Sequence, residues 1–329
     1  QSWSHINRGE FIVEIRLTHI DGKLPNLALM KLAHWHKAQG DSVTLARTPS
    51  PDMFEPQYDK VYGSAVFQWS SKRVVKDLLN AFPDAVVGGT GTNETHTVEG
   101  LLEVDEYEHY DYSIYPEYEW SIGFSQRGCR LNCGFCVVPK KEGRPRSVNS
   151  IWDIWRPGTE RNICLLDNDF FGQPKDQWEA RIEEIKEGDF KVNFCQGINV
   201  RLINEESAEV LAGVKYYDTQ FKMKRLYTAW DNVGQEDIFF KGFNMLTNAG
   251  INPKTILVYM LIGYKPGETM EEILYRHQKL VDAGAFPYPM VYNNENKRLK
   301  RFQKWSVMHY YKIVKWEEYE ASYKSQYAY

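Results

Sequence analysis

The chain has 329 residues, of which 43% are hydrophobic and 26% charged, and its formal net charge is −4. This balance supplies enough apolar surface for a sizeable core, so the composition excludes a chain that is disordered throughout. The small negative charge excludes a global electrostatic attraction to nucleic acid or to an anionic membrane. No apolar run reaches the length of a membrane span, and the polar first ten residues hold no apolar signal core. We therefore expect a cytoplasmic protein with no membrane contact.

Strands and helices alternate over the first hundred residues. Apolar periodicity predicts three strands, at residues 11–18, 42–46 and 61–67, and two helices, at residues 26–38 and 72–81. This order predicts a doubly wound, Rossmann-like parallel sheet over residues 1–102. Residues 103–119 follow with seven acidic residues and five tyrosines, which we interpret as a linker between domains. A tyrosine-rich partner surface is the alternative.

The alternation resumes at residue 120 and continues for six β/α units. The strand-like runs are residues 121–124, 162–166, 191–195, 225–229, 255–262 and 289–292. Most of them are followed by helical patterns, at residues 175–186, 204–212, 235–248 and 268–283. A full eight-unit barrel usually takes about 250 residues, so residues 120–295 predict a partial (β/α)6 TIM-type barrel.

Residues 296–329 form a basic and aromatic tail. Five basic residues, from Lys297 to Lys304, precede aromatic residues that include Trp305, Tyr310 and Trp316. We favour a C-terminal helical segment that packs its aromatic side chains on the barrel and leaves its lysines in water. The alternative is a phosphate-binding patch beside stacking aromatics, which would suit a nucleic acid.

Three of the five cysteines lie within eight residues, at Cys129, Cys133 and Cys136. This odd, crowded set is a poor disulfide framework and a good set of soft metal ligands. A structural zinc site takes four ligands, commonly as two separated pairs, and no fourth ligand follows nearby. Cys164 and Cys195 lie in apolar strand patterns, which indicates buried, inert thiols. A 4Fe–4S cube on three cysteines leaves one iron open, and a βα loop of a barrel is where such chemistry is found.

The arrangement Cys129-x-x-x-Cys133-x-Phe135-Cys136 resembles the signature of the radical S-adenosylmethionine superfamily, including the aromatic residue before the last cysteine. The resemblance implies a 4Fe–4S cluster whose open iron is chelated by the amino and carboxylate groups of S-adenosylmethionine. It also implies an external electron donor. Reductive cleavage would then give a 5′-deoxyadenosyl radical that abstracts hydrogen from a substrate.

The same resemblance assigns contacts with S-adenosylmethionine to residues at the ends of the barrel strands. Asn168 and Asp169 stand where the family places the Gly-Gly-Glu that holds the methionine amino group. Arg201 offers bidentate donors that suit the methionine carboxylate, although a surface charge is an equal alternative. Gly263 resembles the backbone edge that reads adenine. The full set is Phe135, Asn168, Asp169, Gln196, Asn199, Arg201 and Gly263.

The first hundred residues resemble the cobalamin-binding domain that precedes the barrel in one branch of that superfamily. The pattern is represented by His19, Gly22, Ser64 and Gly88-Gly89, but Leu17 stands where the family has an aspartate. That aspartate orients the cobalt-ligating histidine in the family, and its loss argues against lower axial ligation. We therefore favour a lid that covers the barrel mouth over a cobalamin site.

The sequence thus predicts a radical S-adenosylmethionine enzyme. The substrate class is open between a nucleotide or nucleic acid and a small molecule or peptide. Two rival functions are a structural zinc protein and an electron-transfer iron–sulfur protein, and neither would cleave S-adenosylmethionine.

Overall fold

The computed structural model describes residues 12–92, 96–105 and 107–326. It is a mixed α/β structure with parallel sheets, as the sequence predicts. The chain divides into two compact units, with the boundary between Glu119 and Trp120. In the described part of the chain, no helix combines the length and the apolar character needed to cross a bilayer.

The first unit contains one parallel sheet. Its elements are β1 (Glu14–His19), α1 (Leu27–Ala38), β2 (Ser42–Ala46), β3 (Lys60–Ser64), α2 (Gln68–Ala81), β4 (Val86–Gly88) and α3 (Val98–Leu102). The strand order is β2-β1-β3-β4, and every pair is parallel. The order reverses between β1 and β3, so their carboxyl ends flank the place where open α/β sheets usually bind ligands.

Separate apolar cores cover the two faces of this sheet. Met30 of α1 shares one core with Leu17 of β1. Leu78 of α2 shares another core with Val61 of β3. Leu17 is opposite Tyr62 in the β1–β3 pairing, so Val61 points to the other face. The two helices therefore lie on opposite sides of the sheet.

The segment that we interpreted as a linker, residues 103–119, lies within the first unit. Ile114 and Tyr115 are buried and belong to the core formed with α1. The ammonium of Lys31 on α1 lies 2.7 Å from a carboxylate oxygen of Glu108. The acidic and tyrosine-rich segment is thus packed along α1.

The second unit contains two larger parallel sheets and one short antiparallel pair. Its strands are β5 (Ser121–Gly123), β6 (Gln126–Arg127), β7 (Arg146–Ser147), β8 (Asn162–Leu165), β9 (Lys191–Phe194), β10 (Lys215–Tyr216), β11 (Leu226–Ala229), β12 (Ile256–Ile262) and β13 (Phe286–Val291). Its helices are α4 (Val138–Lys141), α5 (Ile151–Ile154), α6 (Lys175–Glu187), α7 (Glu205–Ala212), α8 (Glu236–Asn248), α9 (Met270–Asp282), α10 (Lys297–Val307) and α11 (Trp316–Gln326).

The two parallel sheets have the orders β10-β9-β8-β5 and β11-β12-β13. The amide of Ile198, just after β9, donates a 2.7 Å hydrogen bond to the carbonyl of Tyr227 in β11 and links the two sheets. In β12 buried residues alternate with half-buried ones, because one face packs on the surrounding helices. A capping box at Thr269 and Glu272 fixes the start of α9.

Candidate functional site

The three clustered cysteines lie on one closed loop after β5, residues 128–145, which we call the cysteine loop. The chain enters this loop through β6 and leaves it through β7, and these two strands pair with each other. Cys129, Cys133 and Cys136 are all free and half-buried. The loop therefore presents three unpaired thiols from a single excursion of the backbone.

The base of the cysteine loop is tightly closed. Gly128 has a φ of 81°, and a Cβ placed on it would lie 2.2 Å from the carbonyl oxygen of Arg144. The next amide, that of Cys129, donates a 3.2 Å hydrogen bond to the carbonyl of Gly143. Only glycine combines this left-handed backbone with such a close approach of the returning chain.

Inside the loop, backbone amides and burial act on the thiols in opposite directions. The amide of Leu131 lies 3.4 Å from Cys129 Sγ and donates to it, which favours the thiolate. Burial nevertheless raises the pKa of the Cys129 and Cys136 thiols, and the neighbouring Cys133 adds to both rises. Burial and the neighbouring thiol thus both favour the protonated form of these two cysteines.

The cysteine loop supplies three soft ligands, and their number bears on which metal group they could hold. Within residues 12–92, 96–105 and 107–326, no three His, Cys, Asp or Glu side chains are placed to hold one metal ion. A structural zinc site requires four ligands that converge on one point. A 4Fe–4S cube takes each thiolate on a different iron, so its ligands need not converge. Three free cysteines are the number of protein ligands that a cube with one open iron takes.

A buried carboxylate at the end of β8 holds the entrance of the cysteine loop. One oxygen of Asp167 accepts hydrogen bonds from the amides of Ser125, at 2.7 Å, and Gln126, at 3.1 Å. The other oxygen accepts the Ser125 hydroxyl. Burial raises the pKa of Asp167 to about 7. β8 thus determines where the cysteine loop leaves β5.

Asp169 was predicted to bind the methionine amino group, and the structure places it in an ion pair with the cysteine loop. Its carboxylate accepts from Arg130 Nε at 2.8 Å, Arg130 Nη2 at 3.0 Å and the Arg130 amide at 3.2 Å. Only 1% of the Asp169 side chain is exposed. Its neighbour Asn168 has a buried Nδ2 atom with no hydrogen-bond partner in the described part of the chain. Of these two predicted residues, Asn168 retains an unused donor beside the loop.

Two further predicted residues, Phe135 in the cysteine loop and Gly263 after β12, meet at Tyr264. The ring of Phe135 lies edge-on to that of Tyr264, with 5.2 Å between centroids. A Cβ on Gly134 would lie 2.7 Å from the Tyr264 hydroxyl. Gly263 directly precedes this tyrosine, and its amide donates a 2.6 Å hydrogen bond to a carboxylate oxygen of Glu268. The end of β12 therefore lies against the loop.

Gln196, Asn199 and Arg201 lie apart from the contacts just described. All three follow β9, and the guanidinium of Arg201 donates a 3.1 Å hydrogen bond to the side chain of Gln235. Their predicted contacts with S-adenosylmethionine remain predictions.

Arg276, a buried arginine on α9 that was not among the predicted site residues, braces the ends of two strands. It donates to the carbonyls of Trp230, at 2.9 Å, and Leu261, at 3.1 Å, just after β11 and within β12. It also forms a 2.5 Å ion pair with Glu268. Arg276 lies three residues after buried Ile273 on the apolar stripe of α9, and a charge on such a stripe was the available signal.

In the first unit, the histidine predicted from the cobalamin pattern is covered by its own chain. His19 is 3% exposed, and its Nδ1 atom lies 3.0 Å from the Tyr115 hydroxyl. The two rings meet edge-on, with 5.6 Å between centroids. Burial lowers the pKa of His19. A cobalt ligand must present a ring nitrogen to an open face, and Tyr115 covers His19 instead.

The other residues of that pattern are also engaged within the unit. The hydroxyl of Ser64 accepts a 2.8 Å hydrogen bond from the Asn26 amide group. A Cβ on Gly89 would lie 2.2 Å from the carbonyl oxygen of Ala65, so this glycine serves the packing of one backbone segment on another. The residues at this edge therefore do not fit a corrinoid.

Three aromatic residues of the C-terminal segment belong to the core of the second unit. Phe302, Trp305 and Trp316 are buried, and their rings contact one another. The guanidinium of Arg298 forms a bidentate ion pair with Glu320, at 2.5 and 3.0 Å. These buried rings cannot serve as an exposed stacking platform for bases, which agrees with the packed helical segment that we favoured.

The second unit thus brings together three free thiols, an aromatic pair and an unused buried amide at the carboxyl ends of β5, β8 and β12. The described contacts that position the loop come from Asp167, Asp169 and Tyr264. A scan against protein-family models and a search of the curated proteins find no match for this chain.

Proposed function

We propose that this protein is a radical S-adenosylmethionine enzyme whose 4Fe–4S cluster is held by Cys129, Cys133 and Cys136. The observation that carries the proposal is the set of three free, half-buried thiols on one pinned loop after the first strand of a parallel sheet. When bound, the cluster would supply the electron that cleaves S-adenosylmethionine reductively. The electron would come from an external donor.

We further propose that the parallel strands of the second unit form the partial (β/α)6 barrel and that the first unit is a Rossmann-like domain. The support for the barrel is the strand sequence β5, β8, β9, β11, β12, β13, with the bond between Ile198 and Tyr227 joining the two sheets. The support for the Rossmann-like domain is the strand order with helices on both faces.

The side chains around the loop have separate tasks in this proposal. The three cysteines hold the cluster and leave one iron without a protein ligand. Asn168 donates its unused amide hydrogens to a polar group of the bound S-adenosylmethionine. Phe135 of the loop and Tyr264 form an aromatic pair beside the thiols. A cytoplasmic location would keep the thiols reduced.

Of the two rivals, the zinc protein has the weaker support, because a structural zinc site takes four ligands and the sequence has no further Cys or His close to the three cysteines. An electron-transfer protein would normally close its cluster with four cysteines. An open position suits a site that binds a further ligand.

Anaerobic reconstitution with iron and sulfide tests the proposal. We expect about four irons per chain, and 5′-deoxyadenosine after addition of dithionite and S-adenosylmethionine. Cys133→Ala should lose both, while Cys164→Ala, which changes a cysteine outside the loop, should keep the iron. Zinc without acid-labile sulfide, or a full cluster that never yields 5′-deoxyadenosine with several reductants, would contradict the proposal.

A further inference from the structure

The carboxylate of Asp169, which the sequence predicts to contact S-adenosylmethionine, is fully engaged by Arg130. Both oxygens of its carboxylate are engaged by the Arg130 side chain, and one of them also accepts the Arg130 backbone amide. Arg130 lies between Cys129 and Cys133, so the anchored residue is part of the cysteine loop itself.

The surroundings of this ion pair are built to hold it in place. A Cβ on Gly172 would lie 2.4 Å from Asp169 Oδ2 and 3.2 Å from Arg130 Nε, so the backbone presses against the pair. The amide of Asp169 donates a 2.9 Å hydrogen bond to the buried side chain of Gln126. The same side chain donates a 2.7 Å hydrogen bond to the carbonyl of Gly128, at the start of the loop.

The chemistry of the pair suits positioning. A bidentate guanidinium–carboxylate pair fixes both distance and orientation, which a single hydrogen bond does not. The Asp169 side chain is 1% exposed and that of Arg130 is 35% exposed, so water screens the pair only from one side. Separating the pair would leave a buried carboxylate without its cation, a costly state. The loop is therefore held to the end of β8.

We propose that Asp169 and Arg130 form a clamp that fixes the Cys129–Cys133 segment for cluster binding, and that Asp169 is a positioning residue with no contact to S-adenosylmethionine. This inference rests on the proposed function for the identity of the metal group, and the clamp itself acts in the unloaded protein. Asn168, whose Nδ2 atom has no hydrogen-bond partner in the described part of the chain, is then the residue after β8 that would contact S-adenosylmethionine.

The first arm of the test uses the unloaded protein and needs no cluster. Iodoacetamide labelling followed by mass spectrometry gives the alkylation rate of each loop cysteine in wild type, Asp169→Asn, Arg130→Gln and the double variant. We expect each single variant to raise the rate at Cys129 and Cys133 several-fold, and the double variant to match the single ones because both changes break the same pair. Glu320→Gln, which breaks the matched bidentate pair with Arg298, should leave these rates unchanged.

The second arm compares the cluster spectra after reconstitution. We expect Asp169→Asn and Arg130→Gln to lower the iron content and to change the electron paramagnetic resonance signal of the reduced cluster before S-adenosylmethionine is added. Circular dichroism checks that the variants are folded. The proposal is overturned if Asp169→Asn keeps wild-type alkylation and iron content but loses the spectral change that S-adenosylmethionine causes, because Asp169 would then contact the ligand. A wild-type protein that takes up no cluster would defeat the proposed function, and the alkylation rates would still decide the clamp.

Discussion

Asp167 illustrates how one buried carboxyl couples the site to pH. Its pKa is raised to about 7 from an ordinary value of 3.8, because burial outweighs the hydrogen bonds that favour its charged form. The folded protein thus holds this proton more tightly than the unfolded chain does. The resulting stabilisation is present below about pH 4 and is lost as the pH rises through 7.

We predict that Asp167→Asn removes this pH dependence and leaves the fold intact. The amide oxygen of asparagine can still accept from the amides of Ser125 and Gln126, and its NH2 group can donate to the Ser125 hydroxyl. In urea unfolding, the free energy of unfolding of wild type relative to Asp167→Asn should fall by about 2–4 kcal/mol from pH 5 to pH 8, because titrating groups that both proteins share cancel in this difference.

Asp167→Ala is the contrasting variant, because it leaves the two amides of the loop entrance without an acceptor. It should be destabilised by about 2–3 kcal/mol at pH 5. An Asp167→Asn protein that retains the wild-type dependence on pH would show that another group titrates.

Two glycines of the cysteine loop allow steric crowding to be separated from backbone strain. Gly128 and Gly143 have φ values of 81° and 73°, so alanine at either position adopts a left-handed backbone at a cost of about 1–2 kcal/mol. A Cβ at Gly143 meets no atom within 4 Å, whereas at Gly128 it would lie 2.2 Å from a backbone oxygen. We predict that Gly128→Ala costs about 1–3 kcal/mol more than Gly143→Ala in urea unfolding and takes up less iron. Equal losses in the two variants would refute the close approach at Gly128.

At the scale of elements, the packing of α9 on α10 contains a buried histidine. His277 Nε2 lies 3.0 Å from the Ser306 hydroxyl, and burial lowers the pKa of His277 to about 4. The folded state therefore binds this proton less readily than the unfolded chain. The associated stability is complete above pH 6.5 and decreases as the pH falls toward 4.

We predict that, between pH 7 and pH 5, wild type loses about 2 kcal/mol of unfolding free energy relative to His277→Gln, because the contribution of Asp167 is shared by both proteins and cancels. His277→Gln keeps a hydrogen-bonding amide near Ser306 and has no titrating group, so it should lose less over this range. Chemical unfolding at the two pH values measures the difference. His309→Gln is the control, because His309 is half-buried at the end of α10 and its pKa is also lowered. If His309→Gln removed the slope and His277→Gln did not, the assignment to His277 would be wrong.

Elements with strong local signals were predictable, and those that depend on neighbours were not. The apolar run of β12 and the capped start of α9 were predicted within one or two residues. β13 begins at Phe286, earlier than predicted, since Pro287 and Pro289 are poor strand formers and are tolerated where β13 has β12 as its one partner in the described sheet. The two-residue strand β10 exists through its pairing with β9 and has no signal of its own.

The candidate site likewise has features with a local signal in the sequence and features that depend on distant residues. The spacing of the cysteines is a local property, so the amino-acid sequence alone predicts that one loop carries all three, as the structure shows. The ion pair of Asp169 with Arg130 joins residues 39 positions apart, so no local pattern could show that this carboxylate is already engaged. The brace formed by Arg276 likewise depends on carbonyls from two different strands.

At the scale of the whole molecule, each of the two units has its own apolar core. The thiols, the clamp and the brace all belong to the second unit, after residue 119. In the first unit, Tyr115 contacts His19 at the carboxyl end of β1, which is the edge where open α/β sheets usually bind ligands. Any corrinoid would have to displace that contact.

We predict that the protein binds no hydroxocobalamin. After mixing and gel filtration, the protein fraction should lack the corrinoid absorbance bands. Tyr115→Phe removes the hydrogen bond to His19 and keeps the covering ring, so it should also bind none. Stoichiometric corrinoid binding by wild type that His19→Ala abolishes would show that His19 is an axial ligand after all.

The pairing of β6 with β7 has a consequence for how this region can change. Because β6 and β7 pair with each other at the two ends of the cysteine loop, the length of the loop can change without a change in the parallel sheet that precedes it. Doubling a flexible closed segment costs only about 0.6 kcal/mol of closure entropy. Gly143 belongs to the closed base, where its carbonyl accepts the Cys129 amide, so growth suits the stretch between Cys136 and Gly143 instead. Insertions there would lengthen the loop while keeping the pairing of β6 with β7 and the spacing of the three cysteines, so the loop can change as a unit without a change in the strands.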